Sequence, residues 1–576
     1  MTLSILPLLV STFAAAPPAA EVNLLAGLPS HTFAALHIPN PKALIARRET
    51  SRWVAFATDA QWDPLLRNLL SSFGEEASPE EFSAWRERVL GSLADSTGMV
   101  AFVAGSPKDD GPDLTLGLLV EGGEESARLL RRFVGDDATP TPLAGGQEVL
   151  LSQSGRAELY YESNGLILLL STPKMEGSLS IAEACLSSLA KGDSSSLFDL
   201  PGVAELRPGA PSFEFVADSS PFFEAIRAEQ PDMDPFQERT VDAFATVRWM
   251  YSSMEIGVGE VADWNVYAPY ATESMLGSAL AFFGEADTSL LAHAPIEAIS
   301  ATVGAFDVNG FSKWVLEQVE EASEDLHAQA LAGLSGIQAA TGVDLMASLI
   351  GNITGQFLGF SSAPEVDPGD ASQMLMGMSD PQTLVVFVDD GDPYLDLIDS
   401  LIGLTGMDSE ITSETLALPG DRAAEMDLYR FQADEEISVD LAVGVGDGRV
   451  MLSSDPKARV AYFDLLGGKT SAKSVLDDPD RKQALAAASG ALITIQPTLG
   501  FADLIEGLSG YLTTMAGLGF IPDQDPELNL EEESLAEDIS YATKGVADLI
   551  RQYFSGTMTS ELKVGNGLIH MQTAAR

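Results

Sequence analysis

The chain repeats one series of segments, in the same order, in its first and second halves. Val120–Gly135 and Val388–Gly403 align without a gap, and each passes from a β-rich run through an acidic turn into an amphipathic helix that ends on glycine. Acidic residues are favoured beside a helix start by the helix dipole, and glycine is favoured just past a helix end. The sequence therefore predicts the same strand–turn–helix unit in both halves.

A second pair of segments predicts a tight hairpin followed by a helix. Asn164–Lys174 and Asp447–Lys457 also align without a gap. Each begins with Asn-Gly or Asp-Gly between two apolar runs, which is a strong signal for a two-residue hairpin turn. Each ends in Pro-Lys, and proline is favoured in the first turn of a helix.

Three further pairs complete the series, and their patterns predict two strand–turn–helix units and a closing helix with a hairpin. The pairs are Thr32–Ile45 with Ile299–Trp314, Phe213–Ile226 with Leu492–Ile505, and Pro235–Val258 with Glu537–Met571. Because the five pairs occur in the same order, we predict a tandem duplication. Its first unit is residues 21–285 and its second unit is residues 286–576.

Each unit is predicted to have an α+β fold. Segments 42–95 and 311–352 carry apolar residues at helical spacings of three and four. Strands and helices are interspersed without the strict alternation of βαβ units. We therefore expect two tandem copies of a unit with an antiparallel or mixed β-sheet covered by helices.

The charge of the chain restricts its partners. It carries 32 basic and 85 acidic residues, which gives a net charge of -53. Nucleic-acid binding rests on lysine and arginine displacing counterions, and the sequence has no basic block, so we predict no nucleic acid partner. Hydrophobic residues make up 45% of the chain, which is enough for a substantial core in each unit.

The N-terminal segment is typical of an exported protein. Leu3–Ala16 is a short apolar run, small residues follow it, and the first charged residue is Glu21. Residues 1–20 are therefore predicted to be a signal peptide, although the lysine or arginine that usually precedes the apolar run is missing. No later segment has the roughly 18 apolar residues of a membrane span. We expect a periplasmic or extracellular protein with no transmembrane span after signal removal.

The single cysteine, Cys185, excludes an intramolecular disulfide. It lies in the apolar stretch 181–186, which has the pattern of a helix. No histidine or lysine stands near it in the sequence to favour its thiolate form. We predict a small buried residue rather than a reactive thiol.

Three motifs resemble functional signatures but have simpler explanations. Ser171–Lys174 and Ser454–Lys457 match S-x-x-K, the serine–lysine pattern of penicillin-recognising enzymes, without the companion motifs S-D-N and K-T-G. A helix cap explains both, because Ser or Asp accepts backbone N–H bonds and proline sets the first turn. Gly444–Gly448 precedes a β-run rather than a helix, so we predict a hairpin turn and not a nucleotide loop.

We assign no metal site to the acidic loops or to the histidines. Asp523–Glu531 has oxygen ligands at alternate positions, as in a calcium loop, but Leu528 stands where glycine is needed. Asp389–Asp392 is a similar weak match, and calcium binding stays open for both beside the explanation of solvated acidic loops. We assign no catalytic residue, no cofactor, no cofactor-binding residue and no metal ligand. The histidines form neither H-x-x-x-H nor H-E-x-x-H: His31, His37, His293, His327 and His570.

The openings of the two units share an order of elements. Leu28–Asn40 passes from Leu-Pro into a strand and then to Asn before a helix, and Leu291–Asp307 has the same order with Asp. Together with the hairpin Asn164–Ser171, they resemble a family of uncharacterised exported bacterial proteins of unknown function. The resemblance implies export. It implies no site residues, because that family has no assigned activity.

The sequence favours binding over catalysis. Duplication without concentrated reactive residues leads us to expect a non-catalytic binding or structural protein of the cell envelope or extracellular space. Two alternatives stay open, a hydrolase with a distributed site and a carrier of an apolar ligand. The carrier is suggested by small-residue, Met-bearing helices around 505–521. The partner is expected to be a protein or an apolar ligand, and the sequence does not identify it.

Overall fold

The computed structural model describes most of the chain from residue 23 to residue 576. The segments outside the description are 30, 65–77, 106–113, 136–137, 153–156, 173–174, 192–196, 208–210, 231–232, 234, 363–381, 406–410, 418–424, 432–440, 499–501 and 503–531. The predicted signal peptide, the loop Asp523–Glu531 and the predicted helices around 505–521 therefore lie outside the described residues. Within the description, no helix combines the length and the apolar character needed to cross a membrane.

Strands and helices are interspersed along the chain. The strands are β1 (Thr32–Ile38), β2 (Ser96–Ala104), β3 (Thr115–Gly122), β4 (Thr139–Pro142), β5 (Glu148–Ser152), β6 (Ala157–Ser163), β7 (Leu166–Thr172), β8 (Phe213–Asp218), β9 (Trp249–Ile256), β10 (Ala262–Pro269), β11 (Ser300–Ala305), β12 (Ile353–Ser361), β13 (Gln382–Val388), β14 (Ile411–Ala417), β15 (Glu425–Phe431), β16 (Leu441–Gly446), β17 (Arg449–Ser453), β18 (Leu492–Pro497), β19 (Thr557–Gly565) and β20 (Leu568–Ala575).

The helices connect the strands and pack on the sheet. They are α1 (Pro41–Ile45), α2 (Arg52–Ala57), α3 (Pro79–Asp95), α4 (Glu124–Arg131), α5 (Met175–Lys191), α6 (Val203–Leu206), α7 (Ser220–Glu229), α8 (Pro235–Ala245), α9 (Met275–Leu280), α10 (Val308–Ala322), α11 (Glu324–Thr341), α12 (Asp392–Thr405), α13 (Pro456–Leu466), α14 (Pro479–Leu485) and α15 (Glu532–Tyr553). Short 3₁₀ turns cover Leu24–Gly27, Arg132–Val134, Leu197–Asp199, Thr288–His293, Ile350–Asn352 and Val475–Asp477, and one π turn covers Leu345–Leu349.

The described strands form one large sheet in which every pairing of named strands is antiparallel. The order is β4-β5-β6-β7-β3-β2-β1-β8-β9-β10-β20-β19-β18-β11-β12-β13-β17-β16-β15-β14. This confirms an α+β fold, and of the two sheet types left open by the sequence it selects the antiparallel one.

The first ten and the last ten strands follow the same order outward from the middle of the sheet. The first half runs β10-β9-β8-β1-β2-β3-β7-β6-β5-β4, and the second half runs β20-β19-β18-β11-β12-β13-β17-β16-β15-β14. The halves join where β10 pairs with β20, from Ala262 opposite Ala575 to Pro269 opposite Leu568. We call this pairing the seam.

Local sequence explains the tight hairpins. Among the described residues, the non-glycine positions with positive φ are Asn164, Asp447 and Asn566, and each is followed by a glycine that also has positive φ. A type I′ turn needs positive φ at both central residues, so Asn-Gly and Asp-Gly fit it. The hairpins predicted at these three places are confirmed, including the one at Gly444–Gly448.

Helix starts follow the predicted caps more closely than helix ends do. Asn40 and Asp307 accept backbone hydrogen bonds at the starts of α1 and α10, as the matched openings predict. Gly135, with φ of 78°, ends the turn after α4 as expected. The prediction that the equivalent helix ends at Gly403 is wrong, because α12 continues to Thr405. A helical glycine costs only about 1 kcal/mol relative to alanine, so Gly403 does not force a stop.

Two hydrophobic cores lie on the same side of the sheet, one in each half. The first-half core packs α5 and the turns at Leu24–Gly27 and Leu197–Asp199 on the strands, and includes Phe102 and Tyr251. The second-half core packs α13 and α14 on the strands, and includes Phe360. A third cluster covers the opposite side of the first half with α1 to α4. The seam therefore lies between the two cores.

Candidate functional site

Six polar residues lie in one line across the middle of the sheet. Each is directly opposite the next in the β-ladder, so all six point to the same side, the side of the two cores. We call them the polar row: His37, Glu214, Ser253, Asn265, Gln572 and Glu561, from β1, β8, β9, β10, β20 and β19. The line continues into the apolar Ile493 and Val303 of β18 and β11.

A second line of larger side chains lies beside the polar row on the same side. Tyr251, Tyr267, His570 and Lys563 are directly opposite one another in β9, β10, β20 and β19. The ring centroids of Tyr251 and Tyr267 are 6.1 Å apart, and those of Tyr267 and His570 are 4.3 Å apart with nearly parallel planes. We call the polar row and this line together the central strip.

Glu214 occupies the first-half end of the polar row. Its side chain is fully buried, and it accepts hydrogen bonds from Arg207 Nε (2.7 Å) and Nη2 (2.5 Å), His37 Nδ1 (2.9 Å) and Tyr251 OH (3.2 Å). Burial by itself raises the pKa of Glu214, but the hydrogen bonds and charges of His37 and Arg207 outweigh it and hold the pKa below its ordinary value. Glu214 is therefore an ionised, hydrogen-bonded group at neutral pH.

The partners of Glu214 are themselves held in place. The guanidinium carbon of Arg207 lies 5.2 Å from the ring centroid of Phe198. The imidazole of His37 meets the same ring edge-on, with centroids 6.0 Å apart. Burial and the Glu214 carboxylate raise the pKa of Tyr251, so this phenol stays protonated and donates its hydrogen bond. The cluster fixes one end of the strip.

Two amides lie at the centre of the strip. Asn265 and Gln572 are directly opposite across the seam and are half-buried. His570 Nε2 lies 3.0 Å from Asn265 Oδ1. Burial lowers the pKa of His570, and the charge of Lys563 lowers it further, so the neutral imidazole donates to the amide oxygen. Among the described residues, Asn265 Nδ2 and the side-chain amide of Gln572 have no hydrogen-bond partner.

The second-half end of the strip is closed by a charge pair. Lys563 Nζ lies 2.7 Å from Glu561 Oε2, and the backbone N–H of Ser489 donates to the same oxygen at 3.3 Å. One row away, Arg576 Nη2 lies 2.5 Å from Asp263 Oδ1. Lys563, Glu561, Arg576 and Asp263 are thus matched with partners of opposite sign, whereas the exposed Glu255, directly opposite Asp263, has no such partner among the described residues.

A cavity of about 440 Å³ opens beside the strip, one row further along β9 and β10. Trp249 and Pro269 line it, and they belong to the same side of β9 and β10 as Tyr251 and Tyr267. Asp242, Arg248 and Tyr270 add polar groups to its wall. Sites for small molecules combine aromatic walls with a few placed polar groups, and the cavity and strip together have this composition.

Two of the predicted motifs have the simple explanations that the sequence favoured. Cys185 is fully buried in α5, and burial raises the pKa of its thiol to about 12, which confirms a buried unreactive residue. Asp455 caps α13 by accepting the N–H groups of Lys457 (3.1 Å) and Ala458 (2.9 Å), which confirms the cap in the second S-x-x-K motif. In the first motif, Lys174 lies outside the described residues.

The histidines lie in different parts of the structure, and the described acidic loop forms a local turn. It brings His37 and His570 to the strip and leaves His31, His293 and His327 elsewhere. In the loop Asp389–Asp392, the Asp392 N–H donates to Asp390 Oδ1 at 3.1 Å, a local turn at the start of α12. Among the described residues, no group of three or more His, Cys, Asp or Glu side chains is arranged to hold a metal ion.

A second cavity, of about 460 Å³, lies at the end of α4 and includes Arg128, Arg131 and Arg132. Arg128 is paired within its own helix, with Glu124 at 2.8 Å and Glu125 at 2.7 Å. Cations at the end of a helix also interact favourably with its dipole. Stabilisation of α4 therefore explains these arginines without a ligand.

Sequence reasoning missed the residues of the strip. For Glu214 a signal existed, because a carboxylate stands between Phe213 and Phe215 in the apolar run 213–217, and buried carboxylates are rare unless paired. For Asn265 and Gln572 there was no local signal. Their proximity comes from the seam, which joins strands far apart in the sequence.

No known protein family, no characterised protein and no solved structure matches the chain. The resemblance to exported proteins of unknown function stays a prediction. The chemistry of the site therefore rests on its own geometry. The strip offers hydrogen-bond donors and acceptors, flat rings and internally paired charges, an arrangement suited to holding a ligand.

Proposed function

We propose that the chain is an exported, non-catalytic binding protein of the cell envelope or extracellular space, and that it binds its ligand at the central strip. The observation that carries the proposal is the polar row, which crosses the sheet between two apolar cores. Polar side chains on the core side of a sheet cost free energy unless they are hydrogen-bonded. At the centre of this line, the half-buried amides of Asn265 and Gln572 keep hydrogen-bonding groups that have no partner among the described residues, which suits a ligand better than stability.

We further propose that the two halves arose by tandem duplication of one unit, residues 21–285 and 286–576. The equal strand orders support this, and so do the core positions. Phe102, Ala35 and Val216 are directly opposite one another in β2, β1 and β8. In the second half, β12, β11 and β18 carry the same line of core residues: Phe360, Ala301 and Ile495.

The proposed duplication allows the Glu214 cluster to be compared with the corresponding positions of the second half. His37 and Glu214 lie two residues along from Ala35 and Val216, and the corresponding pair in the second half is Val303 and Ile493. The second half thus forms the same ladder with apolar residues at these positions. Replacing a buried ion pair by packed apolar residues is often neutral or stabilising. A role other than stability therefore accounts better for the charged pair.

Export is the second part of the proposal, and it rests on the apolar run Leu3–Ala16 followed by small residues. We expect the first 15 to 20 residues to be removed, so that the mature protein begins within residues 16–21. N-terminal sequencing of protein recovered from the envelope and culture medium checks this. A mature chain that retains Met1 and stays inside the cell would contradict export.

Hydrogen exchange tests the binding site without knowledge of the ligand. The mature protein is incubated with clarified, undialysed envelope extract, and amide exchange is compared with and without extract. We expect slower exchange in β9, β10, β19 and β20, lost in the Asn265→Ala/Gln572→Ala variant and kept in the Gln338→Ala variant on exposed α11. Unchanged exchange in these strands would contradict a ligand site at the strip, and turnover of an extract component there would favour the hydrolase alternative.

A second candidate function, the carrier of an apolar ligand, is favoured by the opposite side of the same strands. Met250, Trp264 and Met571 point to that side, and their exposures are 40%, 45% and 39%. Exposed apolar patches often mark binding surfaces. Native mass spectrometry of the purified protein tests this: a co-purified lipid that is lost in Trp264→Ser favours the carrier, and a lipid-free protein excludes it.

A further inference from the structure

We infer that the ligand of the central strip is a neutral, hydroxyl-rich chain, that is, an oligosaccharide. The inference rests on the proposed binding function and adds the chemical class of the ligand. Three features of the strip carry it: the pairing of its charges, its open amides and its aligned rings.

The charges of the strip leave no counterpart for an anionic ligand. Arg207 and His37 are bonded to Glu214, and Lys563 is bonded to Glu561. A buried charge is tolerated when it is paired, so an anionic ligand group placed here would lack a partner. The net charge of -53 also repels anions from the whole molecule. A neutral ligand meets neither obstacle.

The open amides suit hydroxyl groups. Asn265 Nδ2 offers two donors, and the Gln572 side chain offers two donors and one acceptor oxygen, with no partners among the described residues. Because the two residues are directly opposite each other, their amides are placed to hydrogen-bond with neighbouring groups of one ligand. A hydroxyl group both donates and accepts, so adjacent hydroxyls of a sugar satisfy both amides.

The rings border the amides and give the strip a direction. Tyr267 is stacked between Tyr251 (6.1 Å) and His570 (4.3 Å), and Trp249 lines the cavity beside the strip. Sugar rings have apolar C–H faces that pack on an aromatic side chain such as Trp249, while their hydroxyls bond to polar groups. Adjacent strands lie about 4.8 Å apart, so the four strands β9, β10, β20 and β19 span about 14 Å, which suits a chain of several sugars.

Titration calorimetry with defined hexasaccharides tests the inference on the full mature protein. The neutral probes are maltohexaose, cellohexaose and chitin hexasaccharide, and the charged probe is hexagalacturonate. We expect at least one neutral probe to bind in a one-to-one ratio and the charged probe not to bind. Loss of two hydrogen bonds in Asn265→Ala/Gln572→Ala should weaken binding by about tenfold or more.

Two further variants keep the result interpretable. Gln338→Ala, an exposed amide on α11, should bind as the unchanged protein does. Gln572→Glu keeps the side-chain shape, so it should fold normally and still weaken binding, because it adds an unpaired charge. No binding of any neutral probe, or binding that the strip variants do not change, overturns the inference. If extract still protects the strip from exchange in that case, the proposed function stands and only the ligand class is wrong.

Discussion

At the scale of single residues, Glu214 shows how a charge is kept inside an apolar core. Its carboxylate accepts four hydrogen bonds from Arg207, His37 and Tyr251. These bonds replace the water that burial removes, so the ionised form is retained and its pKa is depressed. The same bonds mean that no single member of the cluster can be removed without leaving another unsatisfied.

Glu214→Gln is expected to reduce the free energy of unfolding by about 3 kcal/mol at pH 7, because it leaves Arg207 with a neutral partner in a buried site. A depressed pKa stabilises the fold above the ordinary pKa of the carboxyl, and this stability is lost as the pH falls through the lower, folded-state value. The difference between the two proteins should therefore shrink below about pH 4. Urea unfolding across a pH series measures it.

Two controls separate the cluster from general charge effects. Glu125→Gln removes an exposed carboxylate and should change stability by less than about 0.5 kcal/mol. The triple variant His37→Val/Arg207→Met/Glu214→Ile removes all three charged members and reproduces the pair found at Val303 and Ile493, so it should recover most of the stability lost in Glu214→Gln. A triple variant less stable than Glu214→Gln would contradict the correspondence between the two halves.

Cys185 is expected to resist thiol reagents in the folded protein, because it is fully buried and its pKa is raised to about 12. At pH 8 the native protein should show almost no reaction with an aromatic disulfide reagent over an hour. In 6 M guanidinium chloride one thiol per chain should react at once. Rapid labelling without denaturant would show that α5 opens readily.

At the scale of elements, short-range signals were the reliable ones. Asn-Gly and Asp-Gly located three hairpins, and Asn40, Asp307 and Asp455 located helix starts, because a turn or cap is decided by a few adjacent residues. The helix end at Gly403 was missed, because packing and the hydrogen bonds of the flanking turns decide whether a helix continues through glycine.

Gly165→Ala is expected to destabilise the protein by about 1–2 kcal/mol, because the backbone here has φ of 81° and alanine is strained at positive φ. The added Cβ would also lie 3.3 Å from the backbone oxygen of Gly122. Thermal unfolding measures the loss.

Gly333→Ala is the matched control, since Gly333 lies inside α11 and an added Cβ meets no atom within 4 Å. It should raise stability by about 0.5–1 kcal/mol, because alanine is the better helix former. If both glycine variants changed stability in the same direction, the backbone explanation would be wrong.

At the scale of the whole molecule, the seam is reinforced by contacts on the opposite side of the sheet. Trp53 of α2 packs against Phe554, just past α15, with ring centroids 4.4 Å apart and tilted planes. Glu260, beside β10, accepts hydrogen bonds from Arg52 Nη1 (2.5 Å) and from the N–H groups of Ser555 (2.9 Å) and Gly556 (2.6 Å). Residues from the first half thus hold the last helix and hairpin of the chain.

Phe554→Ala is expected to reduce the free energy of unfolding by about 3–5 kcal/mol, because Phe554 is buried between Trp53 and Phe56. Because it joins the two halves, its loss should also separate a single unfolding transition into two. Calorimetry measures both effects. Phe222→Ala, at an exposed site on α7, should leave the transition unchanged. One unaltered transition in Phe554→Ala would show that the seam holds without this contact.

The sequence by itself predicted the α+β class, three tight hairpins and the caps at Asn40, Asp307 and Asp455, because turn residues and caps act within a few residues of the chain. It also placed Cys185 in a buried helix. The tertiary structure decided that β10 and β20 pair into one sheet and that Asn265 meets Gln572. That pairing joins strands far apart in the chain, and its register determines which side chains share a side of the sheet. No local sequence pattern specifies that register. The residues of the strip could therefore be identified only from the pairing of β10 with β20 in the structure.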